Sequence, residues 1–272
     1  MTTQLEKCHQ FKALHTQSEA WVIPNPWDAG SAKLLAGLGF KALATTSGGF
    51  AFTQGKLDGD VGLEATLQHC AALSAATEVP ISVDFEDGYA EDLDTMAANM
   101  RRLIATGVAG FSIEDFNRER RELYSVAEAT ARIRVAVATI AESGIPLVLT
   151  ARAEGLLRAG SDREEVTERM LAYSSAGADV LFAPAVNSLE QLEAITSRLD
   201  KPFNVLASFI HEASLKELAA AGAQRVSVGG ALTWACLNPL LSASREMLEQ
   251  GTFSWIGRVA AAKEIRSLMG LA

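Results

Sequence analysis

The feature that most constrains the fold of this chain is a regular alternation of short, β-like apolar runs with longer helical segments. The helical segments carry apolar residues three and four positions apart. Eight strand–helix units in this order predict a parallel (β/α)8 barrel of the TIM type, with an open doubly wound sheet as the alternative. The predicted strand runs are 20–27, 41–47, 81–86, 110–115, 146–154, 179–186, 203–208 and 225–230.

Glycines and acids predict where several helices begin and end. Asp92 and Asp94 precede a helical pattern and are predicted to cap it. Residues 254–268 predict one further helix after the eighth unit. Since no linker or change of composition divides the chain, we expect a single barrel domain over 1–272 with 254–272 as a helical appendage. Helix C-caps that lead into the next strand are predicted at Gly37, Gly107, Gly177 and Gly222.

The net charge and the spacing of the cysteines limit the expected binding partners and the expected cellular compartment. The net charge of −9 would repel phosphate backbones and anionic lipid, so we expect neither nucleic acid nor membrane as a partner. An anionic substrate would then need a local positive centre, such as a metal ion or an arginine. No stretch approaches the roughly 18 apolar residues of a membrane span. The widely spaced Cys8, Cys70 and Cys236 fit reduced thiols, and we expect a cytoplasmic protein.

Acidic residues crowd the ends of the predicted strands. Asp84 and Glu86, in "VDFEDGYAED", end the third run, Glu114 ends the fourth, and Asp58 lies in the loop after the second. Arg152 lies late in the fifth run. In a barrel these strand ends converge on one mouth, where carboxylates without a cation would repel one another. Oxygen ligands without a His or Cys cluster favour a hard ion, so we expect Mg²⁺, with Mn²⁺ as a close substitute.

The motifs "NPWDAGSAKLLAGLGFKALATTSGG", "VDFEDGY", "GVAGFSIED" and "LTARAEG", in this order, resemble the isocitrate lyase and phosphoenolpyruvate mutase superfamily. The resemblance is clear from about residue 25 to 152 and looser to about 230. It implies a (β/α)8 barrel that binds Mg²⁺ with a 2-oxo acid or an enolate. It also implies a homodimer or homotetramer in which the final helix, here 254–272, is exchanged between subunits.

Carried over to this sequence, the resemblance implies a metal site. Asp84 would be the direct ligand of the ion, while Asp58, Glu86 and Glu114 would hold its water molecules. The superfamily usually has Asp where Glu86 stands and a small or hydroxyl residue where Asp87 stands, so the surroundings of the ion are altered.

The resemblance also implies how a 2-oxo acid substrate would bind. Arg152 would grip a carboxylate, and the segment Ser47, Gly48 and Gly49 would offer backbone N–H groups and a hydroxyl to the carboxylate and the oxo group. Together with Asp84 these are the predicted substrate-binding residues. The candidate catalytic residues are Arg152, Ser47 and Glu114.

The loop after Glu114, "DFNRERRELYSVAEA", departs from the superfamily and narrows the expected reaction. Lyases of the superfamily carry a cysteine acid or base here, and mutases carry a Lys-rich loop. Without either, we favour a Mg²⁺-dependent carbon–carbon lyase resembling oxaloacetate decarboxylase. The alternatives are phosphonate chemistry, as in phosphoenolpyruvate mutase or phosphonopyruvate hydrolase, and a non-catalytic 2-oxo acid binder. As a lid, the loop could bring Arg118, Arg120 or Arg121 toward a second carboxylate.

Overall fold

The computed structural model describes residues 2–271. Eight strands form one parallel sheet: β1 Trp21–Ile23, β2 Leu43–Ala44, β3 Ile81–Asp84, β4 Gly110–Glu114, β7 Val148–Arg152, β8 Val180–Phe182, β9 Phe203–Leu206 and β10 Arg225–Ser227. A separate antiparallel hairpin consists of β5 Phe116–Asn117 and β6 Glu122–Leu123. All eight predicted runs therefore contain a strand, although every strand is shorter than its run.

The strand order confirms a barrel rather than an open sheet. The order is β1-β10-β9-β8-β7-β4-β3-β2, so each strand lies beside its sequence neighbours once the hairpin is set aside. A doubly wound sheet would reverse this order at a switch point. Between the two end strands, the Ala44 N–H donates to Pro24 O at 3.0 Å. The chain therefore forms a nearly closed (β/α)8 barrel.

Helices follow the strands and surround them. Their bounds are α1 Gln4–Leu14, α2 Ala29–Gly37, α3 Ser47–Thr53, α4 Leu63–Ala76, α5 Leu93–Ile104, α6 Val126–Ser143, α7 Arg163–Ser175, α8 Leu189–Thr196, α9 Leu215–Ala220, α10 Ala231–Gln250 and α11 Ala262–Leu268. Asp92 caps α5 as predicted, since its side chain accepts from Thr95 N. Asp94 lies in the first turn. No helix within residues 2–271 is both long and apolar enough to cross a bilayer.

Three of the four predicted glycine C-caps have the backbone conformation that such caps need. Gly107, Gly177 and Gly222 have φ angles of 88°, 104° and 94°. The prediction for Gly37 is wrong, because this residue still belongs to α2 and Gly39 takes the left-handed conformation instead. Gly37 is needed for another reason: a Cβ there would lie 1.8 Å from the carbonyl oxygen of Leu268 in α11.

Side chains alternate between two environments along the strands. Apolar residues such as Phe111, Leu149 and Val205 belong to the hydrophobic core of the fold and are fully buried. The alternate positions point into the barrel and are often polar, as at Ser112 and Thr150. Since barrel interiors are usually packed with branched aliphatic side chains, this polar interior indicates a binding cavity.

The C-terminal region differs from the predicted appendage. Residues 254–268 do not form one helix, but a 3₁₀ turn, Ser254–Arg258, followed by α11. α11 lies against α2 of the same chain. The 20-residue α10, by contrast, buries only Thr233 and Ala243. The single-domain organisation and the exchange of 254–272 between subunits stay predictions, and Ala272 lies outside the described residues.

Candidate active site

Two acids and one arginine end neighbouring strands at the same mouth of the barrel. Asp84 is the last residue of β3, Glu114 of β4 and Arg152 of β7. Arg152 Nη1 lies 3.3 Å from Asp84 Oδ1 and 3.4 Å from Glu114 Oε2. The structure therefore brings these three predicted residues together at the carboxyl ends of the strands, where active sites of barrel enzymes form.

Glu86 reaches the mouth through a left-handed turn and not through strand alternation. β3 ends at Asp84, so the predicted run 81–86 continues two residues too far and Glu86 lies beyond the strand. Glu86 and Tyr89 have φ angles of 46° and 56°. Residues with a side chain rarely adopt this conformation, which costs about 1–2 kcal/mol each. The surrounding structure must therefore restrain this turn.

Arg132 supplies that restraint from the helix α6. Its guanidinium donates to the carbonyl oxygens of Asp87, Ala90 and Glu91. It also lies 4.3 Å from the centre of the Tyr124 ring. Arg132 is only 1% exposed, so it is a buried support for the acidic turn, residues 86–91.

The hairpin after β4 covers Glu86 with one arginine. Arg118 Nε lies 2.8 Å from Glu86 Oε2, and the Arg118 guanidinium lies 4.8 Å from the centre of the Tyr89 ring. Tyr89 in turn donates its hydroxyl to Glu86 Oε1 at 2.7 Å. Of the other two lid candidates, Arg120 pairs with two exposed acids, and Arg121 lines a cavity of about 150 Å³ at the mouth that Glu86, Glu114 and Arg152 also line. Arg118 is therefore the lid residue that forms an ion pair with Glu86.

A central cavity of about 260 Å³ extends from the mouth into the barrel and is lined by Asp84 and Arg152. Its lining also includes polar residues that the sequence analysis did not single out. They are Ser82, Ser112, Thr150, Asn204, Arg225 and Ser227. The signal was present in the sequence, because polar residues recur at every second position in strands that are otherwise apolar. Such residues belong to the inward face of the barrel, where water or a ligand can satisfy them.

The predicted segment 47–49 opens α3, a helix that the sequence did not predict. Ser47 and Gly48 line the central cavity, as does the exposed Asp58. Gly49 is not among the lining residues: its N–H donates to Thr46 Oγ1, and a Cβ there would come within 2.6 Å of neighbouring threonine side chains. Gly49 therefore serves close packing, while Ser47 and Gly48 contact the cavity.

Arg152 is surrounded by carboxylates. Besides Asp84 and Glu114, its Nε donates to Glu154, a fully buried acid that was not predicted as part of the site. Glu154 also lies 3.3 Å from Arg158 Nε. Burial would lower the pKa of Arg152, but the surrounding carboxylates outweigh it and raise the pKa well above its usual range. The positive charge of Arg152 is thus compensated within the chain.

Two of the acids at the mouth hold their protons unusually tightly. Burial raises the pKa of Glu86 to about 7 against the opposing charge of Arg118, and the neighbouring Asp84 adds to the rise. Burial also raises the pKa of Glu114 well above its usual range, although the Arg152 guanidinium opposes this. Burial is therefore the main reason why these two carboxyl groups favour their protonated forms.

These observations suit a hydrated hard cation. The available donors, Asp84, Glu86, Glu114 and Asp58, are all carboxylates, and a divalent ion would offset the cost of burying Glu86 and Glu114 in their ionised forms. Among residues 2–271, no three His, Cys, Asp or Glu side chains converge on one point as a ready-made metal cage. A Mg²⁺ ion that keeps several waters needs only one or two direct carboxylates, so this arrangement fits it.

The fold and the site define a (β/α)8 barrel with a carboxylate-rich mouth. Residues 11–248 match the model of the phosphoenolpyruvate phosphomutase family, and the chain belongs to that family. The predicted resemblance is confirmed. The family contains mutases and lyases, among them oxaloacetate decarboxylases.

Three similar proteins illustrate this range. A crystal structure of a candidate lyase/mutase from Burkholderia cenocepacia J2315 has 41% sequence identity and a TM-score of 0.92, covering 97% of this chain and 95% of that one. An uncharacterised protein of Mycobacterium tuberculosis is 33% identical, over 80% of this chain and 81% of its own length. The oxaloacetate decarboxylase of Pseudomonas entomophila is 28% identical, over 71% of this chain and 67% of its own length.

Proposed function

We propose that this protein is a Mg²⁺-dependent lyase that cleaves a carbon–carbon bond of a small 2-oxo or 2-hydroxy dicarboxylic acid. Oxaloacetate, with decarboxylation to pyruvate, is the first candidate. The observation that carries the proposal is the cluster of Asp84, Glu86 and Glu114 at the mouth, where Asp84 lines the central cavity of about 260 Å³ and burial raises the pKa values of the two glutamates. When bound, Mg²⁺ would withdraw electrons from the 2-oxo oxygen and so stabilise an enolate of pyruvate.

The side chains at the mouth have separate roles in this proposal. Asp84 would hold the ion directly, with Glu86, Glu114 and Asp58 around it. Ser47 and Gly48 line the same cavity and would contact the carboxylate next to the oxo group. Arg152 would contact that carboxylate too, while it keeps Asp84 and Glu114 in place through its existing ion pairs. Glu114 is buried enough to hold a proton close to the reacting carbon.

The hairpin favours decarboxylation over cleavage of larger acids. The segment 115–125, which contains β5 and β6, has neither Cys nor Lys, so it offers no thiol acid or lysine to protonate or shield a departing fragment. Loss of CO₂ needs no such donor, because the departing group leaves without a proton. Arg118, held on Glu86 and over Tyr89, would instead cover the site and exclude water.

The test is pyruvate formation from oxaloacetate, with 2-methylisocitrate and 2,3-dimethylmalate in parallel, and glyoxylate formation from isocitrate. Each substrate is assayed with Mg²⁺ and with chelator, and the spontaneous reaction is subtracted. We expect chelator-sensitive turnover of oxaloacetate that Asp84→Ala abolishes. Asp94→Ala, which removes an exposed acid on α5, is the matched control and should keep full activity. Equal activity of the Asp84→Ala and control proteins would refute the proposed site.

Phosphonate chemistry is the second candidate, favoured by the family that the chain matches. The same carboxylates and ion would then support cleavage of a carbon–phosphorus bond. Phosphate release from phosphonopyruvate, without pyruvate formation from oxaloacetate, would favour carbon–phosphorus cleavage over the proposed decarboxylation. A non-catalytic binder of 2-oxo acids would turn over none of the substrates and still bind oxalate.

We also propose that the protein assembles into a homodimer or homotetramer. α10 projects apolar side chains into solvent, with Leu240 at 58%, Leu241 at 51% and Leu248 at 86% exposure. Exposed apolar surface of this extent on one helix is typical of a protein interface. In the C-terminal segment, Ile256 and Val259 are also exposed. An interface on α10 would bury it.

A further inference from the structure

A second buried arginine lines the central cavity at a distance from the mouth. Arg225 is the first residue of β10, whereas Arg152 is the last residue of β7. Arg225 is 5% exposed and contacts the same cavity. Its guanidinium bonds to Asn204 Oδ1 at 2.8 Å, Thr150 Oγ1 at 3.0 Å and His15 Nε2 at 3.1 Å. All three partners are uncharged, which is unusual for a buried guanidinium.

The position of His15 shows that Arg225 lies at the inner end of the cavity. His15 follows α1, and α1 packs at the amino ends of the strands, where Lys7 donates to Thr77 O just before β3. Burial and the charge of Arg225 lower the pKa of His15 to about 3, so the imidazole is neutral. Its Nδ1 donates to Phe11 O, which leaves Nε2 to accept from Arg225.

Arg225 keeps an uncompensated positive charge. Within residues 2–271, no carboxylate oxygen lies within 4 Å of its guanidinium, in contrast to the three carboxylates around Arg152. Burial lowers the pKa of Arg225 to about 9, which still leaves it charged at neutral pH. A buried charge without a counter-ion is costly, and an anionic ligand in the cavity would remove that cost.

We propose that Arg225 forms an anion-binding position at the inner end of the central cavity, where it takes the second carboxylate of a dicarboxylic acid whose first carboxylate lies at the mouth. This inference rests on the proposed function for the placement of the first carboxylate. Asn204 on β9 and Thr150 on β7 fix the guanidinium from two strands. The polar side chains between the two ends, such as Ser112 and Ser227, line the path of the ligand.

The proposed reaction gives this position a distinct kinetic signature. In oxaloacetate, the bond between C3 and C4 breaks, its electron pair passes to C3 to form the enolate, and the C4 carboxylate leaves as neutral CO₂. A proton then adds to C3 to give pyruvate. The charge that Arg225 holds disappears in the transition state, so Arg225 would stabilise bound substrate more than the transition state. Neutralising it should raise KM for oxaloacetate at least tenfold without lowering kcat.

The variant Asn204→Asp distinguishes between two roles of Arg225, binding an anion and supporting the fold. The new carboxylate keeps the acceptor for Arg225 Nε, and its second oxygen can accept from Ser227 Oγ, which lies 2.9 Å from the Asn204 amide nitrogen. The variant therefore keeps the packing and gives Arg225 a permanent counter-ion. If Arg225 only supports the fold, this change would leave its role unaffected or strengthen it. If Arg225 binds an anion, the new carboxylate would neutralise its charge and weaken that binding.

The experiment measures oxalate and succinate binding to the full chain with Mg²⁺ by calorimetry. The ion at the mouth would hold both carboxylates of oxalate, so we expect the affinity for oxalate to stay within twofold in Asn204→Asp, while succinate binds at least tenfold more weakly. Arg225→Gln should show the same pattern. Lys7→Gln is the matched control, because Lys7 is a buried cation, 6% exposed, that bonds only neutral carbonyls and does not line the cavity.

Equal succinate affinities in the unmodified protein and Asn204→Asp would overturn the inference, and so would no succinate binding at all. An equal loss for oxalate and succinate would also overturn it, since that pattern reports general damage to the site. These outcomes do not depend on turnover. An absence of pyruvate formation from oxaloacetate would refute the proposed function, while the comparison of oxalate with succinate would still decide the role of Arg225.

Discussion

The raised pKa of Glu86 predicts how the stability of the metal-free protein depends on pH. Its carboxyl group is 6% exposed, and burial and the neighbouring Asp84 raise its pKa from 4.5 to about 7 despite the ion pair with Arg118. A difference of this size is worth about 3–4 kcal/mol at ~1.4 kcal/mol per pH unit. Because the folded state binds the proton more tightly, stability is fully present below about pH 4.5 and is lost as the pH rises through about 7.

Glu86→Gln removes this titration while it keeps an acceptor for the Tyr89 hydroxyl. The unfolding free energy of the variant relative to the unmodified protein should therefore rise by about 2–3 kcal/mol between pH 5 and pH 8. The assay is urea unfolding in chelator at both pH values, followed by circular dichroism. Comparing the two pH values cancels any constant effect of the substitution on packing.

Glu64→Gln is the control for this measurement, because Glu64 belongs to an exposed ion pair with Arg102. Its effect on the unfolding free energy should be small and nearly independent of pH. If Glu86→Gln and the unmodified protein differ by the same amount at pH 5 and pH 8, then Glu86 is ionised across this range. The inference that burial raises the pKa of Glu86 would then be wrong.

Three further predictions concern the scaffold. Arg132→Met should lower the unfolding free energy by about 3–5 kcal/mol in urea titrations, because it leaves three backbone carbonyls of the acidic turn, one of them at the buried Asp87, without their donor; a loss below about 1 kcal/mol would contradict its role. Gly222→Ala should destabilise the fold more than Gly144→Ala. A Cβ at position 222 would lie 2.2 Å from a threonine hydroxyl, whereas a Cβ at position 144 would meet open space, so equal melting temperatures would contradict this prediction. Leu248→Glu on α10 should lower the mass in light scattering, and an unchanged oligomer would exclude α10 from the interface.

The fold could be predicted from the sequence because its signal repeats along the whole chain. Eight apolar runs alternating with amphipathic helices leave few topologies, and each run contains a strand of the barrel. The ends of elements were predicted less well. The residues that end a helix also depend on tertiary packing, as at Gly37, which stays inside α2 because the backbone of α11 lies against it.

The site was predictable where strand geometry fixes the side chains and less so where loops do. Asp84, Glu114 and Arg152 end strands, and these ends meet in any parallel barrel. Glu86 reaches the mouth only through a left-handed turn that a buried arginine on α6 restrains, and no local pattern encodes such a long-range support. Arg225 was overlooked because it stands at the start of its strand, where an arginine usually reaches solvent.

The placement of charge in the central cavity suggests how a dicarboxylic acid would be oriented. At the mouth, carboxylates surround Arg152, so this end of the cavity attracts a cation. At the inner end, the partners of Arg225 are uncharged, so its positive charge remains. A 2-oxo acid bound to an ion at the mouth would therefore direct its other carboxylate inward. In a protein with a net charge of −9, this local inversion of potential provides the positive centre that the composition requires for an anionic substrate.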